Sequence, residues 1–430
     1  MKKYFIITAV LLAAGCSSCS SSANNVLSVK DGGTDTDTDS DTDTDTDSDT
    51  DTDTDTDTGG NISDAGPWDW TDLPQSEDCG SGCTQLTFKG RIKAWDIWDN
   101  MLVYEEYLSG LTIVDIKKHK HLTLPPPPPP FDSCKFNAAT KGNCLTKSAG
   151  IYNGIVYYSL FPFEESNIKK QHILVQADIV AQKQTILWAL DENEKDWSLA
   201  DDIDVYGTNV ISTGGCDQFI GTELCYFNLL QQQPDGSVTP KMLLGESYGG
   251  ANSIWGNVAV WFTWADFIYD IQGYNFETQK VFQVTQDDEC QLYPRIQGTK
   301  VAYMDLRNGE GCLAGNWNHS AIFVHDIVTK QTTQITNGQW IGAHPDVYGN
   351  IVIWSDYRDT KDPNYKDSLT GVEVWGYNLN TKKQFQITHL PQRAKTHPRI
   401  WGDKVYVEMS SSNGGGIYMF DLPPEAFETQ

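Results

Sequence analysis

The stretch Gly-Glu-Ser-Tyr-Gly-Gly at 245–250 follows the apolar run KMLL. Gly-x-Ser-x-Gly is the spacing of a nucleophile elbow, where a sharp strand-to-helix turn exposes a serine hydroxyl, here that of Ser247. Two histidines, His344 in AHPDVYG and His397 in THPRIWG, each precede a proline, and Tyr293 in LYPRIQG holds the matching place. With Asp346 they offer the nitrogen and oxygen donors that a divalent metal accepts. MDLRNGE and SDYRDTKD set Asp305 two residues before Arg307 and Asp356 two before Arg358, carboxylates that could serve acid–base work or simply pair with arginine. Residues 189–204, ALDENEKDWSLADDID, place seven acidic residues, Asp201 and Asp202 among them, around Trp197, and WFTWAD adds Trp264 and Asp266. Aromatic faces beside carboxylates suit sugars or cationic groups.

Which of these chemistries is available depends on the elements that hold the residues. Beyond residue 84 seven stretches align: IWDNMLVY, IYNGIVYY, VYGTNVIS, IWGNVAVW, IQGTKVAY, VYGNIVIW and IWGDKVYV. The third position falls at Asp99, Asn153, Gly207, Gly256, Gly298, Gly349 and Gly402, residue types that tolerate positive φ where two strands meet in a tight hairpin. After most copies comes a second pair of alternating runs, such as IFVHDIVTKQTTQIT and VEVWGYNLNTKKQFQIT, each a strand, a polar turn and a strand ending in an apolar residue plus Thr. Four short strands per repeat of about 50 residues make a propeller blade. The seventh copy has three strands, and CTQLTF at 83–88 is the orphan that would complete it. The expected fold is therefore all-β: a seven-bladed β-propeller over 79–430, closed by an N-terminal strand in the last blade, which leaves no free sheet edge.

YPRIQGTKVAYMDLRNG with IFVHDIVTKQTTQIT, and HPDVYGNIVIWSDYRD with VEVWGYNLNTKKQFQIT, resemble the PD40 or TolB-like propeller repeat. The closer likeness is to the variant found in tandem-repeat cell-surface propellers of bacteria and archaea. The first hairpin departs from that family, with IWGDK or VYGNI where Ser-Pro-Asp-Gly is usual. The resemblance implies a scaffold for binding, and some propeller polysaccharide lyases of this general fold use histidines around their channel.

Within this frame GESYGG leads into a repeat strand with no helical periodicity, so Ser247 is expected to be a turn residue and no catalytic residue is assigned. Tyr293, His344 and His397 should lie where innermost strands begin, near one mouth of the central channel. The Asp–Arg couples are expected to form ion pairs between blades. The ligand-binding candidates are Trp197, Asp201, Asp202, Trp264, Asp266, Tyr293, His344, Asp346 and His397. No cofactor is called for; a divalent metal at His344 and His397 belongs to a second reading, a metal-assisted polysaccharide lyase.

The N-terminal residues point to an export route. Lys2 and Lys3, the run YFIITAVLLAAG and then Cys16 resemble a bacterial lipoprotein signal over 1–15, with Cys16 as the lipidated residue. Residues 16–78 read as a disordered tether whose Thr34–Thr58 stretch alternates Thr or Ser with Asp, so like charges keep it extended. Eight further cysteines fall into local couples, Cys79 with Cys83, Cys134 with Cys144, Cys216 with Cys225 and Cys290 with Cys312, expected as disulfides in an oxidising compartment. The formal net charge of −27 excludes nucleic acid as a natural partner. The sequence thus predicts a protein of the bacterial cell envelope, at the outer membrane. Its membrane contact is the N-terminal lipid, and its propeller face recognises an envelope or surface protein, or a glycan.

Overall fold

The computed structural model describes residues 68–75, 79–87, 92–106, 110–134, 144–162, 173–189, 199–214, 224–244, 250–265, 268–308, 319–360, 371–390, 394–410 and 415–429. The leader, the Thr34–Thr58 stretch of the tether, Cys16, Trp197, Asp266, Ser247, Cys216 and Cys312 lie outside them, whereas residues 68–75, expected as the end of the tether, are described and include the strand Thr71–Asp72. The described chain forms seven antiparallel sheets. Blade one runs from Ile92–Trp98 to Lys120–Thr123, with Thr71–Asp72 added on its outer edge. Blades two to six follow in order, starting at Cys144–Tyr152, Leu199–Tyr206, Gly250–Trp255, Gln291–Gln297 and Gly342–Tyr348. Blade seven holds Ala394–Trp401, Lys404–Ser410 and Gly416–Asp421, and Cys83–Gln85 pairs antiparallel with Gly416–Asp421 as its outer strand.

Each sheet is sandwiched between two neighbours, which explains its strand sequences. A second strand such as Ile351–Asp356, IVIWSD, is buried along its whole length and carries a nearly continuous apolar run. A fourth strand such as Thr332–Gln334 is exposed at every residue and polar. Among the described residues the buried hydrophobics divide into seven clusters, one for each interface between adjacent blades. The cluster of Ile97, Leu102 and Val114 with Tyr406 and Ile417 joins blade seven to blade one. The core is thus a ring of wedges around a channel.

All seven hairpin residues marked by the repeat, Asp99, Asn153, Gly207, Gly256, Gly298, Gly349 and Gly402, have φ between 48° and 62°. Disulfides join Cys79 to Cys83 and Cys134 to Cys144, and Cys225 and Cys290 are disulfide-bonded as well. The proline run after blade one is tied to blade two, where Gln184 Nε2 donates to the carbonyls of Pro125 and Pro126.

One expectation is corrected. Each Asp–Arg couple closes within its own blade: Arg307 Nη2 sits 2.6 Å from Asp305 Oδ2 and Arg358 Nη2 sits 2.7 Å from Asp356 Oδ2, each at the end of its own blade's second strand. Among the described residues, Arg307 alone of the two also reaches a carboxylate, Asp287, in the connection from the preceding blade. The backbone turns there, so the i and i+2 side chains meet and Nε closes a second bond to the same carboxylate.

Candidate functional site

Reading back from each hairpin residue, the innermost strands place side chains at three depths in the channel. The residues one before the hairpin position are Trp98, Tyr152, Tyr206, Trp255, Gln297, Tyr348 and Trp401. Six of them are aromatic, and they form a collar: Trp98 lies 4.3 Å from both Tyr152 and Trp401, and 5.9 Å from Trp255. Rings from non-adjacent blades in contact leave little room at this end, and the chamber above them holds about 60 Å³.

Three residues before the hairpin position stand Asp96, Gly150, Asp204, Ser253, Arg295, Asp346 and Arg399. The acceptors link adjacent innermost strands. Asp96 accepts from Ile151 N, Asp204 from Ile254 N, Ser253 Oγ from Ile296 N, and Asp346 from Ile400 N. Gly150 has no side chain to offer, and Ser148, two residues earlier, accepts from Ile203 N instead. Arg295 reaches Asp204 at 3.7 Å and Asp346 at 3.6 Å, so one guanidinium balances two carboxylates across the channel. Burial and the nearby Asp204 push Asp96 up to about 6, and burial also raises Asp204.

Five residues before the hairpin position the strands open into a mouth. Here each of the last four innermost strands carries a bulge, and Ala251, Tyr293, His344 and His397 take φ of 45° to 53°. Non-glycine residues held in this region are strained, a cost that structures concentrate at functional positions. The bulge turns three rings together: Tyr293 and His344 centroids are 4.5 Å apart, His344 and His397 4.1 Å. Burial, the adjacent His397 and Arg399 push His344 down to about 3, so its imidazole is neutral at physiological pH. His397 is exposed, with Nδ1 3.5 Å from Glu408 Oε2. Below them opens a cavity of about 220 Å³, lined by Asp96, Asp202, Asp204, Arg295, His397, Arg399 and Glu408 together with Trp95 and Asn252.

The sequence candidates therefore separate. Tyr293, His344 and His397 come together; of these His397 lines the cavity, and so does Asp202, whose Oδ2 accepts from Ala251 N. Asp346 is buried and committed to Val347 N, Ile400 N and Arg295, which makes it a fastener between blades six and seven. Trp264 does not line that cavity and packs on Tyr269 at 5.0 Å. Asp201 is on the first strand of blade three. The 245–249 connection runs from Lys241–Leu244 to the strand Gly250–Trp255, so no helix follows the elbow motif. Arg295, Arg399, Asp96, Asp204 and Glu408 were not singled out from sequence; four of them share one repeat column, which is where they could have been found.

No family model matches the chain, and no curated protein matches it. Solved structures do. An oligogalacturonate lyase from Vibrio parahaemolyticus is 10% identical, with a TM-score of 0.52 over 84% of this chain and 100% of that one. An oligogalacturonate lyase in complex with manganese is 11% identical, with a TM-score of 0.50 over 84% of this chain and 99% of that one. The β-propeller domain of the trilobed protease from Pyrococcus furiosus is 8% identical, with a TM-score of 0.52 over 78% and 95%. TolB structures are also matched, at TM-scores of 0.38 and 0.37. At such identities the likeness is one of fold: this chain is a seven-bladed β-propeller. Among the described residues no three His, Cys, Asp or Glu gather as ligands for a metal ion. Asp346, the expected third donor, is held by backbone amides and Arg295.

Proposed function

We propose that the protein is a non-catalytic, lipid-anchored recognition propeller of the cell envelope, and that the channel mouth holds its ligand, a neutral or cationic group of a glycan or protein. The observation that carries this reading is the stack of Tyr293, His344 and His397 on bulged, positive-φ backbone above an acidic cavity. Such a rim is preformed, so binding orders few side chains. The ring faces suit a sugar or an amine, and Asp202, Asp204 and Glu408 outnumber the two arginines of the lining, which disfavours anions. Attachment at Cys16 and an extended tether over 34–58 would hold the mouth clear of a membrane, since 25 residues reach at most ~80 Å. Among the described residues no helix is long and apolar enough to cross a membrane.

The test is a glycan and divalent-metal binding screen on the full chain, with His344→Ala/His397→Ala as control. The expected result is a neutral or amino-sugar ligand whose affinity falls roughly tenfold or more in the double variant, the loss of two ring contacts. Metal-dependent cleavage of a polysaccharide that the double variant abolishes would replace this reading with that of a lyase. Ligand binding indifferent to both histidines would move recognition elsewhere on the propeller.

A further inference from the structure

Blades five and six carry the same Asp–Arg couple in the same setting, and their difference is informative. Arg307 lies 4.6 Å over the ring of Phe323, and Arg358 lies 3.7 Å over that of Trp375. Each guanidinium is clamped by the aspartate two residues before it. Arg307 has a second carboxylate. Asp287, eleven residues before hairpin Gly298, accepts from Arg307 Nη2 at 2.9 Å. Gln291, seven before Gly298 and fully buried, donates to the other oxygen of Asp287 at 2.7 Å.

In blade six both positions are glycine. Gly338 stands eleven residues before hairpin Gly349, and Gly342 stands seven before it. A cavity of about 210 Å³ opens beside Arg358, lined also by Asn337, Gly338, Trp340, Gly342, Gln384 and Asp356, whose carboxylate Arg358 already clamps. The chain cannot fill it from position 338, where φ is 70° and a Cβ would meet Asn308 Nδ2 at 2.3 Å. Among the described residues, Arg358 Nη2 meets Gln384 Oε1, at 3.4 Å, beyond Asp356. Trp340, where blade five has Glu289, is half exposed at the rim.

We propose that this cavity between blades five and six binds an acidic side chain, Asp or Glu, presented by a protein partner. The occupant's chemistry is shown in the same molecule: a peptide-borne carboxylate already completes the equivalent arginine one blade away. A charge-assisted bond from Arg358 supplies the anchor. Asn337 and Gln384 offer amide donors, and the Trp340 face covers the flanking residue of the incoming peptide. The inference is independent of the channel-mouth reading, since the two cavities share no lining residue.

The test uses the full chain and two fluorescein-labelled pentapeptides, Ser-Tyr-Asp-Tyr-Ser and its counterpart with Asn at the centre, read by anisotropy at two salt concentrations. The Asp peptide is expected to bind at least roughly tenfold more tightly than the Asn peptide, and more weakly as salt rises. Asn337→Asp is the decisive variant. The residue is exposed, and its Oδ1 accepts from Gln339 N, as an aspartate also can, so the fold is retained while a like charge enters the rim. It should cost roughly tenfold or more for the Asp peptide and far less for the Asn peptide, which loses an amide donor but meets no like charge. Trp340→Ala should weaken both, and Arg358→Lys, which keeps the charge but loses the fork, should remove the discrimination. Equal binding of the two peptides, or indifference to Asn337→Asp with an unchanged melting temperature, overturns the proposal. So does binding of glucuronate at this site by a chain that ignores the Asp peptide, which would make the occupant a sugar acid.

Discussion

Glu373→Ala is expected to destabilise the propeller by about 3–5 kcal/mol, the cost of leaving a buried charge without its partner. Glu373 is 3% exposed and Lys395 is fully buried, and Lys395 Nζ lies 3.0 Å from Glu373 Oε1. The other carboxylate oxygen accepts from Thr388 Oγ1, and the ammonium donates also to the carbonyl of Leu390. Both charges are thus satisfied across the interface of blades six and seven. Removing the carboxylate strands an ammonium in a site that water does not reach. Replacing both partners with apolar groups of similar size, Glu373→Leu with Lys395→Met, removes the desolvation cost along with the attraction, so that pair should be close to wild type or above it. Thermal or urea unfolding of wild type and the two variants checks this. A single variant within about 1 kcal/mol of wild type would show that the pair adds little. The consequence reaches the mouth, because Lys395 precedes His397 by two residues on the same strand, and its carbonyl accepts from Ser355 Oγ of blade six. Loosening this interface should therefore disturb the His344–His397 stack.

The fold was legible because a propeller repeats its constraints seven times. One column of Asp, Asn and Gly fixed the hairpins, and every one of them takes positive φ as its residue type requires. Period-two alternation separated buried from exposed strands, and the orphan CTQ at 83–85 pairs where an incomplete last sheet needs it. The site was legible only in part. Tyr293, His344 and His397 stood out because they precede or flank prolines. Their stacking depends on a bulge, and a bulge is a backbone event that no single residue type announces. The Asp–Arg ring of the channel was in plain view three residues before five of the seven hairpins. It went unread because its chemistry lies across the column, from blade to blade, while a motif is sought along the chain. The Asp–Arg couples were assigned to the wrong partners for the opposite reason, since a local turn brought i and i+2 together where alternation would have kept them on one face without contact. The open place beside Arg358 needed both kinds of reading, because it is visible only as the difference between two aligned blades.

The channel ring also gives the protein a stability that depends on pH, with a sign that follows from Asp96. Its carboxyl sits at about 6 in the fold against an ordinary 3.8, with burial as the main cause and Asp204 as the second. The folded chain therefore keeps a proton that the unfolded chain has already released. Below the unfolded value both states are protonated, and Asp96 imposes no penalty. Between about pH 4 and pH 6 the unfolded state ionises first, so stability falls as pH rises, reaching a plateau penalty of about 3 kcal/mol above that window. Asp96→Asn should remove this slope. The amide oxygen can still accept from Ile151 N, and no negative charge faces Asp204. The variant is expected to match wild type near pH 4 and to exceed it by roughly 1–3 kcal/mol at pH 8, the discount allowing for attraction lost to Arg399 and Arg295. Melting temperatures across pH 4 to 8 for both proteins decide the matter. Parallel profiles, or a variant less stable at pH 8, would mean that the two arginines neutralise all three aspartates and that no proton is held. If the slope disappears as expected, the ring is three carboxylates, two guanidiniums and one titratable proton. The charge at the floor of the mouth then becomes more positive as pH falls through about 6, and a cationic ligand held there should bind more weakly in acid.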